Sequence, residues 1–201
     1  HLSQNFLIDP NILRKIIASC ELKEEEEVLE IGPGQGILTE ALAAKVKHVI
    51  AIEKDERLVK TLQRDFKNSN VTLIHADILK YPFDQLPSGL KVIGNLPYHI
   101  TSPIVAKVIE HRPQFSSFFM TVQQEVGWRL TAQPSTKHYS SFSCFVQYYA
   151  DVQILFPIKN TCFYPRPKVQ SCFVRLNFNN KPFFSVPDEK KLFEMIRLAF
   201  N

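Results

Sequence analysis

The apolar run Val28-Leu29-Glu30-Ile31 breaks into Gly32-Pro33-Gly34-Gln35-Gly36 and then into a helical pattern reaching about Lys45. Glycines at such a turn let the backbone bend sharply and approach a ligand closely. A strand-glycine-helix junction is also where α/β sheets bind nucleosides, at the carboxyl ends of their strands. The strand-like His48-Val49-Ile50-Ala51-Ile52-Glu53 follows and completes a β-α-β unit.

The alternation continues along the chain. It predicts a helix over 56–66, strands at 71–75 and 91–94, a helix after Thr101, a strand at 117–122 and a helix over 125–130. Strands alternating with helices make a mostly parallel sheet covered on both faces. Ahead of this unit, Asp9-Pro10 followed by Ile12, Leu13, Ile16 and Ile17 predicts an N-cap, a proline at the first helical position and a helix to about Cys20. The polar stretch 133–140 reads as a loop. Two late segments, 152–156 and 171–178, have no helix between them and read as an antiparallel hairpin at the sheet edge, joined by Phe163-Tyr164-Pro165-Arg166-Pro167. A break over 179–187 leads to a helix from Asp188. The division this predicts is one domain over 1–180 and the start of a truncated helical C-terminal domain over 181–201.

The glycine spacing is G-x-G-x-G, not the G-x-G-x-x-G of dinucleotide binders, and an acidic residue precedes it. An acid there suits a cationic amino-acid moiety better than a pyrophosphate, and S-adenosylmethionine carries such a moiety. Glu53 ends the second strand, where a carboxylate accepts from both ribose hydroxyls. Asp77, after the third strand, offers an acceptor for the adenine amine. A nicotinamide dehydrogenase would need the other glycine spacing.

After the fourth strand stands Asn95-Leu96-Pro97-Tyr98. An adenine N6 lone pair is delocalised into its ring and is a poor nucleophile. The Asn95 side-chain oxygen and the Leu96 carbonyl can each accept one N6 hydrogen and aim the lone pair at a methyl sulfonium. Pro97 stiffens the turn, and Tyr98 offers a face on which the base stacks. No strong base is required, because the alkylated amine is more acidic and loses its proton to water.

These residues, together with Gln4-Asn5-Phe6-Leu7, Val122-Gln123-Gln124-Glu125-Val126, Val146-Gln147-Tyr148-Tyr149-Ala150 and Phe163-Tyr164-Pro165-Arg166-Pro167-Lys168-Val169, resemble the ribosomal RNA adenine N6,N6-dimethyltransferases, the KsgA/Erm family, over nearly the whole chain. The resemblance implies a Rossmann-like class I S-adenosylmethionine-dependent methyltransferase fold: a mostly parallel seven-stranded sheet with helices on both faces and an antiparallel edge hairpin. It implies a cofactor site of Gln4, Asn5, Leu7, Gly32, Gly34, Glu53, Lys54, Asp77, Ile78 and Asn95. The implied catalytic set is Asn95, Leu96, Pro97, Tyr98 and Phe163, with Phe163 stacking on the target base opposite Tyr98. Leu96 and Phe163-Tyr164-Pro165 are more similar to the small-subunit branch than to the resistance branch. The implied product is N6,N6-dimethyladenosine at two adjacent adenosines near the 3′ end of small-subunit ribosomal RNA. The partner implied is that RNA within a pre-ribosomal 30S-type particle, met by a monomer. His99 and Arg166 stand where a tyrosine and a proline are frequent in the family. A large-subunit RNA methyltransferase, a DNA adenine methyltransferase, and a non-catalytic assembly or transcription factor are the rival readings.

With 24 Lys+Arg against 20 Asp+Glu, the chain carries a formal charge of +4, compatible with a polyanionic partner. Lys137, Arg166, Lys168 and Arg175 lie around the late loops and are candidate phosphate contacts. The four cysteines form no C-x-x-C pair, so neither a zinc site nor a disulfide framework is expected. No apolar run approaches the ~18 residues of a membrane span, and His1-Leu2-Ser3 lacks signal-peptide character, so a cytoplasmic protein is expected. The chain opens without Met and stops within a helical pattern, which reads as a piece of a longer protein.

Overall fold

The computed structural model describes residues 4–178 and 185–200. In chain order its elements are β1 (Phe6–Leu7), α1 (Pro10–Ser19), β2 (Glu27–Ile31), α2 (Ile37–Ala43), β3 (His48–Glu53), α3 (Glu56–Asp65), β4 (Val71–His75), β5 (Leu90–Asn95), α4 (Thr101–Glu110), β6 (Phe115–Gln123), α5 (Gln124–Thr131), α6 (Ser141–Tyr149), β7 (Ala150–Ile158), β8 (Phe163–Tyr164), β9 (Ser171–Phe178) and α7 (Glu189–Ala199). Seven strands form one sheet in the order β4-β3-β2-β5-β6-β9-β7, and β1 pairs with β8 in a separate two-stranded ribbon. The β4-β3, β3-β2, β2-β5 and β5-β6 pairs are parallel, whereas β6-β9 and β9-β7 are antiparallel. This is the expected mostly parallel seven-stranded sheet with its antiparallel edge.

Strands buried on both faces read as continuous apolar runs, and successive side chains divide between two cores. Leu29, Ile50, Val92 and Phe118 enter one core with Ile104, Val105 and Val108 of α4. Their neighbours Val28, Val49, Ile93 and Phe119 enter the other with Ile16 of α1 and Leu38 and Leu42 of α2. Asp9 caps α1 by accepting from the Asn11 and Ile12 amides at 2.8 and 3.1 Å, as its sequence context predicts.

Beginning with β2, the chain lays strands outward in one direction through β3 and β4. It then returns to β5 on the other side of β2 and continues to β6. The order reverses between β2 and β5, and a crevice at the carboxyl ends of those strands is where a ligand fits. Gly36 starts α2 at φ 86°; a β-carbon on it would meet Leu62 Cδ2 of α3 at 2.6 Å. The glycine thus serves both the left-handed turn and the approach of α2 to α3.

Helix α6 is absent from the sequence reading. A capping box between Ser140 and Ser143 starts it, and Phe145 then packs on Phe193 of α7 with ring centroids 5.2 Å apart. Tyr149 donates to Glu189 at 2.6 Å. The helix expected from Asp188 is present as α7, while the boundary expected at residues 180 and 181 lies outside the described residues. Among the described residues, no helix is long and apolar enough to cross a membrane.

Candidate active site

The ends of β2, β3, β5 and β6 surround two adjoining hollows. The first holds about 880 Å³ of open space and is lined by Glu30, Gly32, Gly34, Glu53, Asn95, Tyr98 and Thr121, with Gln4, Asn5 and Leu7 among the residues closing over it. The second, about 670 Å³, is lined by Gly32, Glu53, Lys54, Asp77, Ile78 and His99, again with Gln4.

Gly32 and Gly34 take φ values of 70° and 59°, and the turn is tied down from the next strand. Glu53, only 5% exposed, accepts the Gly34 amide at 3.2 Å and the Lys54 and Asp55 amides at 2.8 and 2.9 Å. One carboxylate therefore fixes both the glycine loop and the turn after β3; Oε1 accepts two amides and Oε2 one, which leaves an acceptor site on Oε2. Asp77 accepts Lys54 Nζ at 2.8 Å and the Leu79 amide at 3.0 Å. The Lys54 hydrogen bond is the main cause that holds its carboxyl below the ordinary value.

Glu30 is the exception among these acids. It is 1% exposed, its Oε2 has no hydrogen-bond partner among the described residues, and it borders the first hollow. Burial pushes its carboxyl up to about 8; the adjacent Thr39 hydroxyl offsets part of that, and the charge of Glu53 adds to it. Thr39 lies beside the carboxyl without forming a well-directed hydrogen bond, since its hydroxyl is also buried and unpartnered. A buried carboxyl that lacks a partner is costly unless a cation or donor reaches it. Glu30 thus leaves a buried acceptor oxygen at the wall of the first hollow.

Across the pocket, Asn95 Nδ2 donates to the Asn5 carbonyl at 2.9 Å. This fixes the amide and leaves Oδ1 as the acceptor for a ligand. The Leu96 amide donates to the Thr121 carbonyl at 3.2 Å, and Pro97 takes φ −60°. The Tyr98 hydroxyl lies 2.7 Å from Ser171 Oγ at the start of β9; its pKa is raised, mainly by burial.

The whole chain, residues 1–201, matches the family model described as Ribosomal RNA adenine dimethylase. The chain belongs to that family. It is 43% identical to a "Ribosomal RNA small subunit methyltransferase A" from Clostridium acetobutylicum, over 100% of this chain and 74% of that protein. A protein of the same description from Bacillus mycoides is 42% identical over 99% of this chain and 71% of its own length. Among solved structures, a dimethyladenosine transferase from Plasmodium falciparum superposes with a TM-score of 0.86 at 30% identity, covering 97% of this chain and 70% of that one. The 23S rRNA methyltransferase ErmE gives 0.84 at 29% identity over 98% of this chain and 79% of its own.

For a member of the ribosomal RNA adenine dimethylase family, most of the site expected from sequence comes together. Gln4, Asn5, Leu7, Gly32, Gly34, Glu53, Asn95, Leu96, Pro97 and Tyr98 border the first hollow, and Lys54, Asp77 and Ile78 border the second. Phe163 does not join them. It pairs with Leu7 across the β1-β8 ribbon and is 2% exposed in the core beside Ile16, Phe156 and Cys162. Phe163 lies outside the lining of both hollows, whereas Phe6 and Phe173 line the first. Arg175 donates to Gln153 at 2.9 Å and pairs with Glu21 at 3.6 Å. Thr121, Phe173 and Ser171 escaped the sequence reading. A signal existed only for Thr121, which stands opposite Asn95 in the parallel β5-β6 pair.

Proposed function

We propose that this chain transfers methyl groups from S-adenosylmethionine to N6 of two adjacent adenosines near the 3′ end of small-subunit ribosomal RNA, giving N6,N6-dimethyladenosine. The observation that carries the reading is the Asn95 amide, locked through Nδ2 to Asn5 so that Oδ1 is the acceptor beside the glycine-loop pocket. Family membership and the small-subunit relatives support the substrate. When bound, S-adenosylmethionine supplies a methyl group on a positively charged sulfur.

The chain's own residues do the positioning. Glu30 offers its unpartnered carboxyl to the ammonium of the amino-acid moiety, Glu53 accepts from the ribose, and Asp77 from the adenine amine of the cofactor. Asn95 Oδ1 and the Leu96 carbonyl accept the two N6 hydrogens of the target adenosine. Their pull localises the nitrogen lone pair, and fixed dipoles of this kind need no reorganisation during transfer. Tyr98 supplies the stacking face. The hydrogens leave N6 as protons to solvent after alkylation.

Residues 1–180 act as the methyltransferase domain and 181–201 begin a helical C-terminal domain. The enzyme works as a cytoplasmic monomer on a pre-ribosomal 30S-type particle. Mass spectrometry of small-subunit RNA lacking this modification, incubated with the protein and S-adenosylmethionine, tests the proposal. The expected result is a gain of four methyl groups on two neighbouring adenosines. Methylation of large-subunit RNA alone, or of duplex DNA alone, would overturn it.

A further inference from the structure

Helix α5 leaves the carboxyl end of β6, two residues beyond Thr121 of the pocket wall. Its inner face, Gly127 and Leu130, is buried, but Trp128 is 45% exposed. Trp128 is also the chain's single tryptophan. The loop after α5 returns to place His138 against it, with ring centroids 5.3 Å apart and planes at 42°. Around this pair lies an open hollow lined by Glu125, Arg129, Lys137 and Ser140. Among the described residues, no carboxylate pairs with Arg129 or Lys137. The Arg129 guanidinium instead rests 5.9 Å over the Phe142 ring.

We propose that this hollow is an RNA contact surface for nucleotides flanking the target adenosine, with Trp128 as a stacking face and Arg129 and Lys137 as phosphate contacts. The inference rests on the function proposed above. Single-stranded nucleic acid is held by exposed aromatic faces set among cations, because every base has a π face and every linkage a negative charge. The rim is charged and polar, which suits a phosphodiester backbone and does not suit an apolar protein segment. His138 fixes the indole before binding, so less freedom is lost on contact. Gln124 and Trp128 are one helical turn apart, about 6 Å of rise, which keeps the shelf close to the strand end that carries the pocket.

Intrinsic fluorescence of the lone tryptophan tests this directly. An RNA hairpin with two adjacent adenosines in its loop is titrated into the wild-type chain, and methylation is measured in the same samples. Expected are saturable quenching of the Trp128 emission, reversed by salt, and a KM for RNA raised roughly 5–150-fold in Trp128→Ala, the span of losing one stacked base. The kcat and the affinity for S-adenosylmethionine should hold, and Trp128→Phe should recover most of the lost affinity. Lys137→Gln should lower the slope of log affinity against log salt by about one. If the wild-type protein methylates RNA while Trp128 emission and the Trp128→Ala KM stay unchanged, the shelf is overturned and the proposed function stands. If RNA leaves the emission unchanged while small-subunit ribosomal proteins, titrated in parallel, quench it, the shelf serves a protein and the inference falls. If RNA is neither bound nor methylated, both fall together.

Discussion

At the scale of single residues, the site contains two side chains whose hydrogen bonds determine what their substitution should reveal. Asn95 spends Nδ2 on the Asn5 carbonyl, so Asn95→Ala removes both an acceptor for the target amine and a tie to the segment that closes the pocket. With S-adenosylmethionine saturating, single-turnover methylation should slow roughly 10²–10³-fold, the range for deleting one preorganised polar group. An undiminished rate would end the amine-positioning mechanism. Tyr98 differs, because its hydroxyl bonds to Ser171 while its ring is the proposed stacking face. The hydroxyl meets Ser171, which is 0% exposed, and Tyr98→Phe leaves that serine buried without its partner at a cost of about 1–3 kcal/mol in stability. Ser171→Ala in the same background should recover part of this loss in urea unfolding, while Tyr98→Phe keeps the stacking face and much of the activity. Tyr98→Ala should lose about 1–3 kcal/mol of base capture. Equal inactivity of Tyr98→Phe and Tyr98→Ala would assign the phenol a chemical part. The asparagine and tyrosine were legible in the sequence because they stand together at one strand end. Ser171 was not, since only the antiparallel pairing of β9 with β6 brings it there.

At the scale of elements, legibility followed periodicity. The parallel strands were read from continuous apolar runs, and α1 from its proline and acidic cap. Helix α6 was missed because Ser141-Phe142-Ser143-Cys144-Phe145-Val146-Gln147-Tyr148-Tyr149 is rich in residues that favour strands over helices. Its conformation is set by the capping box and by ring packing against α7, and tertiary contact of that kind overrides local propensity. Phe163 illustrates the same limit: its burial depends on pairing between β1 and β8, from distant parts of the chain. The junction of β2-α2 with β3-α3 is testable as a unit, because Glu53 accepts amides from both turns. Glu53→Ala should weaken S-adenosylmethionine binding by about 1–3 kcal/mol or more, the scale for bonds to a charged acceptor. Glu53→Gln, which keeps one acceptor oxygen, should lose less in isothermal calorimetry. Affinities unchanged in both would take the ribose and the loop away from Glu53.

For the molecule as a whole, Glu30 couples stability to pH and, by the function proposed above, to the cofactor. Its carboxyl ordinarily titrates at 4.5 and is pushed up to about 8 in the fold by burial. Between these values the folded chain holds a proton that the unfolded chain has released. Stability therefore falls as pH rises through this window, with a slope of at most about 1.4 kcal/mol per pH unit from this one group. Asp9, Glu56 and Asp77 are shifted downward and Asp55 to about 2. Their contributions are lost only in acid, as pH falls through those lowered values, so they leave the window between 5 and 8 to Glu30. Glu30→Gln keeps the size of the side chain and removes the titration, so its urea midpoint should vary less between pH 5.5 and 7.5 than that of the wild type. Saturating S-adenosylmethionine should act in the same direction, because an ammonium beside Glu30 favours the carboxylate and draws its pKa down. Binding at pH 7 should then release protons, which calorimetry in buffers of different ionisation enthalpy measures, and affinity should rise from pH 6 to pH 8. Glu30→Gln should abolish both effects. Parallel stability profiles for the two proteins, with proton release unchanged by the substitution, would mean that the positive end of the ligand is held elsewhere than at the orphaned carboxyl of β2.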